Sequence, residues 1–452
     1  MNNFRAASIL SKIHITLPEE EEISEFIKNI SSDKLKEFDF YEYCDKWKLA
    51  PWLFTQLTRT KLLNYFSTVT QKLFEESHLK IKTENERRNK EAVRFLSELK
   101  KNEIDIIILK GNLFAQTVYK DIGYKKMNDF DILIHKKDWN KIQDIYFSLG
   151  YIPLGFGWSG EKEKVNEFSH VGMSFISADF SCIIGSQWGL KSPATGYKIN
   201  IEEAWDTAKE FDFYGVKVKQ LSPEYNLLHL ILHMGIFKCG IRDCMDIYNL
   251  VLTHKIDLTL FYKLIEKSNA TDKSYFTIAL SNICSGTMND FLKELKPNSS
   301  SFLYRRLQKR LVAHEITKDF QTSYNDYFQD IEKIVIYFNL FPAFHKKLSF
   351  YFLILRYIFF PKTEIALKLS DSLHDRSAYS KIKAGVAAPF FVFSLIAQEI
   401  GWKSTFLLFS KLFFDLLLSF KNYFVKRESY FDYLKKRGVD SILIERAVKN
   451  IQ

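Results

Sequence analysis

The hydrophobic pattern changes character at residue 104. Residues 1–100 read as helices, and Pro18 followed by Glu19, Glu20, Glu21 and Glu22 sets a proline in a first turn with acids against the positive end of a helix dipole. Ser31, Ser32 and Asp33 are expected to cap the next helix, and 71–101 is polar, without Gly or Pro, as a long helix would be. IDIIIL (104–109) is short and β-branched, which predicts a buried strand broken by Lys110, Gly111 and Asn112. NLFAQTVY (112–119) fits a short helix with Asn112 as its cap. In MNDFDILIH (127–135) strict alternation puts Asp129, Asp131, Leu133 and His135 on one face and Phe130, Ile132 and Ile134 on the other. Apolar positions at 139, 142, 145, 146 and 149 then predict a helix capped by Asp138 and stopped at Gly150. VGMSFIS (171–177) and FSCIIGS (180–186) read as two strands joined by a tight turn at Ala178 and Asp179. From Pro223 onward the spacing is helical.

This order predicts an α+β chain in which a mixed-sheet α/β core is embedded in a largely helical framework. The expected divisions are an N-terminal helical region over 1–100, the core over 101–220, a helical domain packed on it over 221–340, and a basic, aromatic-rich helical region over 341–452. A chain of 452 residues buries a core without difficulty.

Composition changes the picture in one place. The formal charge of +10 is concentrated: residues 344–427 hold thirteen Lys or Arg against five Asp or Glu, a surplus of eight. Such a field favours RNA or an anionic membrane surface, though a solvated basic face has the same composition. Five cysteines, sparse and odd in number, argue against a disulfide framework or a disulfide-linked partner. With no secretory leader and no uncharged run of spanning length, the expectation is a cytoplasmic protein.

The chemistry lies at the core's head. Carboxylates at i and i+2 on one strand are roughly 7 Å apart at Cα and can converge on hard cations. Two Mg²⁺ ions held there can clamp the attacking and leaving oxygens of a nucleotidyl transfer. A glycine at a helix start lets a triphosphate approach backbone N–H groups, so Gly111 and Asn112 are candidate phosphate contacts, with Lys110 to neutralise an oxygen. A lone Asp-x-Asp is weak by itself, since a strand entry produces it too.

The stretch LKGNLFAQTVYKDIGYKKMNDFDILIHKKDWNKIQDIYFSLGY (109–151) resembles an uncharacterised bacterial nucleotidyltransferase family of the DNA polymerase beta-like superfamily. The matching residues are Leu109, Lys110 and Gly111, then Tyr119, Lys125, Asp129 with Asp131, and Gly150 with Tyr151. The resemblance implies a polymerase beta-like fold, NTP as substrate with ATP among the candidates, Mg²⁺ at Asp129 and Asp131 as catalytic metal ligands, and Lys110, Gly111, Asn112 and Lys125 around the nucleotide. Lys125 stands where the family has Arg, keeping charge but losing the bidentate fork. Looser matches are LSPEYNLLHLILH, the CMDIYNLV helix with Asp246, and YIFFP at 357–361.

One departure matters. The superfamily supplies a third carboxylate from a neighbouring strand, and the best match here, Gly185, Ser186, Gln187 and Trp188, has glycine in its place. Asp179 is the nearest acid, but six residues of strand span roughly 20 Å, and a turn role suits it. The resemblance therefore implies either a nucleotidyltransferase acting on an unidentified acceptor (small molecule, peptide or RNA) or a nucleotide-binding sensor or scaffold that has lost catalysis. His229 and His233 are one helical turn apart without a zinc pattern around them, and the resemblance puts His233 near the nucleotide. Arg242 and Asp246, at i and i+4, predict a helix ion pair, with a base- or acceptor-holding role for Asp246 as the alternative.

Overall fold

The structure is a computed structural model that describes residues 1–32, 34–153, 170–172, 174–191, 197–234, 240–297 and 377–400, with isolated positions between 348 and 442. Asp33, Cys239, the YIFFP run and most of the basic 344–427 stretch lie outside the described residues.

Five helices precede the sheet: α1 (Asn3–Leu10), α2 (Leu17–Ser31), α3 (Lys34–Lys46), α4 (Ala50–Arg59) and α5 (Thr68–Lys101). Pro18 occupies the first turn of α2, and the Glu19 carboxylate accepts from the Thr16 backbone N–H at 3.1 Å there. Ser31 and Ser32 end α2 instead of capping α3. Then follow β1 (Ile106–Ile108), α6 (Lys110–Thr117), β2 (Phe130–Ile134), α7 (Trp139–Ser148), β3 (Ile152–Pro153), β4 (Phe175–Ile176), β5 (Ile183–Gln187), α8 (Ile201–Asp206), β6 (Lys209–Phe213) and β7 (Val216–Gln220). Gly150, at φ +76°, terminates α7 as its spacing predicts.

The seven strands form one mixed sheet of order β3-β4-β5-β2-β1-β7-β6. β1 runs antiparallel to β2 and parallel to β7, while β2 runs parallel to β5 with Asp131 opposite Gly185 and Ile132 opposite Ser186. The β6–β7 hairpin was not anticipated. Its signal is the alternation in VKVKQ after the Tyr214–Gly215 turn, where Gly215 takes φ +89°.

The two faces of β2 are distinguished by their partners. Phe95 of α5 stacks on Tyr146 of α7 at 4.4 Å, and the Tyr146 hydroxyl lies 2.9 Å from Ser186 Oγ. Ser186 and Ile132 therefore face α7, and alternation turns Asp131 and Gly185 to the other side. Burying each ring of this aromatic pair contributes about 1.5–3 kcal/mol to the packing of α5 against α7.

α9 (Pro223–His233), α10 (Ile241–Thr253), α11 (Leu258–Lys267), α12 (Thr271–Ser285) and α13 (Asn289–Lys293) complete the helical framework. The chain divides into two compact units, and α1–α13 with β1, β2, β5, β6 and β7 belong to the first. The second contains α14 (Ala378–Ile400), a helix with Pro389 inside it. Among the described residues no helix is long and apolar enough to cross a membrane.

Candidate functional site

The site begins where β1 gives way to α6. The Leu109 N–H still donates to the Asp131 carbonyl at 3.0 Å, continuing the β1–β2 ladder, and the chain then bends into a helix. The bend is taken by Lys110, at φ +54°, and not by the glycine after it. A Cβ on Gly111 would meet Met127 Cγ and Tyr124 Oη at 3.6 Å, which is ordinary contact, so the glycine's contribution is a low backbone surface. A left-handed lysine is strained, and such strain clusters at functional positions. Leu109 caps α6 without a side-chain bond, so no capping side chain covers the first-turn N–H groups. Asn112 is not the cap expected of it. It lies inside α6, only 2% exposed, and its amide donates to the Asp129 carbonyl at 3.2 Å.

Asp131 is held close against this turn. Its Oδ2 accepts from Lys110 Nζ at 2.7 Å, in a pair whose side chains are 15% and 9% exposed. Lys110 Nζ also lies 3.4 Å from Nε2 of His233, at the C-terminal end of α9. On the neighbouring strand, a Cβ on Gly185 would sit 2.5 Å from Asp131 Oδ1. The Asp131 carboxylate thus occupies the space into which a side chain at 185 would grow. Asp129 precedes β2 and is exposed, with its backbone fixed by Asn112.

Two α5 residues stand behind the aspartates, and neither was anticipated. Asn85, fully buried, donates to the carbonyls of Ile122 and Lys125 at 2.7 and 2.9 Å and accepts from Arg88 Nη1 at 2.7 Å. This grips the loop that leads to Asp129. Burial lowers the pKa of Arg88, while the nearby Glu84 and Asp129 carboxylates oppose that shift. The sequence signal was a polar residue at a core-facing position of α5, which reads the same as a solvated face.

The remaining candidates divide. Lys125 Nζ is bonded to Asp246, whose other oxygen accepts from the Tyr119 hydroxyl at 2.9 Å. Burial, with the Asp246 charge added, holds the Tyr119 pKa well above its usual value, so the phenol stays a donor. The predicted Arg242–Asp246 pair gives way to this arrangement, and Arg242 donates to the Lys126 carbonyl. Lys125 nonetheless remains beside the α6 turn, its Cε 3.7 Å from the place of a Gly111 Cβ. Gln187 pairs with Leu133 and is 6% exposed, two residues beyond Gly185 on the same strand face. Asp179 accepts from Ser177, Ser181 and Arg87, the bonding of a turn aspartate.

His229 and His233 have ring centroids 6.1 Å apart. Among the described residues no three His, Cys, Asp or Glu side chains come together as a metal cluster. The hard oxygen donors Asp129 and Asp131 do fit Mg²⁺, which is bound through one or two carboxylates when substrate phosphates supply further oxygens. The pair offers hard oxygen donors, the α6 turn offers first-turn N–H groups, and the Leu109–Asp131 backbone bond joins the two elements.

A search of curated proteins finds no match to this chain. A family model described as an uncharacterised nucleotidyltransferase matches residues 34–286, from α3 through α12 and more than half the chain. The chain belongs to this nucleotidyltransferase family.

Proposed function

We propose that the chain transfers a nucleoside monophosphate from an NTP to an acceptor, whether a small molecule, a peptide or an RNA, and that Mg²⁺ is required. The reading rests on the convergence of Asp131 with the α6 turn, where the Lys110–Asp131 pair and the Leu109–Asp131 backbone bond bring carboxylate, ammonium and helix N-terminus together. Asp129 and Asp131 would hold Mg²⁺, which when bound neutralises triphosphate charge and the charge developing on the pyrophosphate leaving group. The first-turn N–H groups of α6, Gly111 among them, donate to phosphate oxygens, favoured by the helix dipole. Lys110 adds a charge-assisted donor. Lys125 and Asp246 keep the neighbouring loop in place, and His233 limits where the Lys110 ammonium can go.

Gly185 favours a second reading. With no carboxylate there to draw the proton from an acceptor, the site would bind nucleotide without turning it over, as a sensor or scaffold does. Incubating purified protein with each α-labelled NTP, Mg²⁺ and cell extract, beside Asp129→Asn/Asp131→Asn, separates the two. Label transfer that needs both aspartates supports the transferase. Saturable Mg²⁺-dependent binding with no transfer across all extracts supports the sensor, and absence of both overturns each.

A further inference from the structure

A carboxylate in this site already faces a cationic side chain: Lys110 Nζ is 2.7 Å from Asp131 Oδ2. Gly185 contributes no oxygen, and a longer side chain there would collide with Asp131 Oδ1. A second dication would have to share Asp131 with an ammonium already in hydrogen-bond contact, and among the described residues no cluster of three His, Cys, Asp or Glu side chains is there to offset the repulsion. Lys110 is also directed: its left-handed backbone, its bond to Asp131 and the ring of His233 at 3.4 Å fix the ammonium. An ammonium has three donors, so after Asp131 and His233 one N–H is left for a phosphate oxygen.

We infer that this site takes up one divalent ion with its NTP instead of two, and that the Lys110 ammonium, bridging Asp131 and the triphosphate, stands in for the second. The inference rests on the nucleotidyltransferase reading above and departs from the two-ion expectation drawn from the sequence. It makes Lys110 a substitute cation and not only a phosphate contact. It also gives Gly185 a reason, since the glycine lets Asp131 lean towards Lys110.

Metal stoichiometry tests this without any turnover. The full chain is equilibrated with Mn²⁺ and the α,β-methylene analogue of ATP, then of CTP, GTP and UTP, and bound metal, nucleotide and protein are measured together by equilibrium dialysis with electron paramagnetic resonance. The expected ratio is one Mn²⁺ to one nucleotide to one chain. Lys110→Arg should keep that ratio, while Lys110→Met, checked for folding by circular dichroism, should rise to two Mn²⁺ at saturating metal. Two Mn²⁺ in the wild-type chain would overturn the inference and leave the parent reading standing. A ratio of one in folded Lys110→Met would remove Lys110 from the role. No uptake of any analogue would overturn both readings.

Discussion

Replacing Gly185 by alanine tests the site's geometry through the sign of a stability change. Gly185 lies in β5 and does not need a left-handed backbone, so alanine there should ordinarily stabilise the fold by about 0.4–1 kcal/mol through the unfolded chain's entropy. Here the added Cβ would lie 2.5 Å from Asp131 Oδ1 and must drive the carboxylate away. Ordinary contact needs a shift of nearly an ångström, and the carboxylate is tied to Lys110 at 2.7 Å in a pair 9% and 15% exposed. Losing a hydrogen bond to a charged group costs about 1.5–3 kcal/mol. Set against the entropic gain, the net expectation for Gly185→Ala is a loss of about 1–2 kcal/mol. Urea unfolding followed by tryptophan fluorescence measures it. The double-mutant cycle sharpens the result: in an Asp131→Ala background, Gly185→Ala should become neutral or stabilising, a coupling of at least about 1 kcal/mol. Stabilisation in the wild-type background, or additivity in the cycle, would refute the reasoning.

Three further outcomes follow from the surrounding network. Asp246→Ala strands the Lys125 ammonium and the Tyr119 hydroxyl in a largely buried site and should cost about 3–5 kcal/mol by chemical denaturation. Asn85→Ala removes the donor to the Ile122 and Lys125 carbonyls and should cost about 1–3 kcal/mol, while Mg²⁺-dependent NTP affinity falls as the loop before Asp129 loosens. Asp121 feels burial, which raises its pKa, but bonds from His78, Thr55 and the Gly123 N–H outweigh it and hold the carboxyl below its usual value. Its stabilising contribution is therefore present above the unfolded pKa of about 3.9 and lost as pH falls through the lower folded value. Thermal melts from pH 5 to pH 2 should show the gap between wild type and Asp121→Asn closing as the medium becomes more acidic, and a constant gap would contradict this.

Local signals carried the sequence reading far where one interaction dominates. The β-branched run before Lys110, the alternation through Asp131 and the spacing of α7 each follow from backbone period and burial, and each element stands close to where its pattern puts it. Partner choice was another matter. Asn112 has the chemistry of a cap, but its amide is taken by the Asp129 carbonyl, a contact made only after β2 returns beside β1. Arg242 and Asp246 have ion-pair spacing, yet Lys125 and Tyr119 approach Asp246 from a loop more than a hundred residues earlier. Arg88 and Asn85 were hidden for the same reason: a polar residue on a long helix shows its burial only when the sheet packs against it. The glycine in GSQW was legible as a missing acid, whereas the carboxylate that fills its space was not.

The most direct test of the central claim is calorimetric titration of α,β-methylene NTPs into the purified chain, with and without Mg²⁺, beside Asp131→Asn. Saturable uptake that needs Mg²⁺ and weakens at least tenfold in Asp131→Asn, about 1.4 kcal/mol, is the predicted result. Uptake indifferent to metal and to the substitution, or none with any of the four nucleotides, would contradict it.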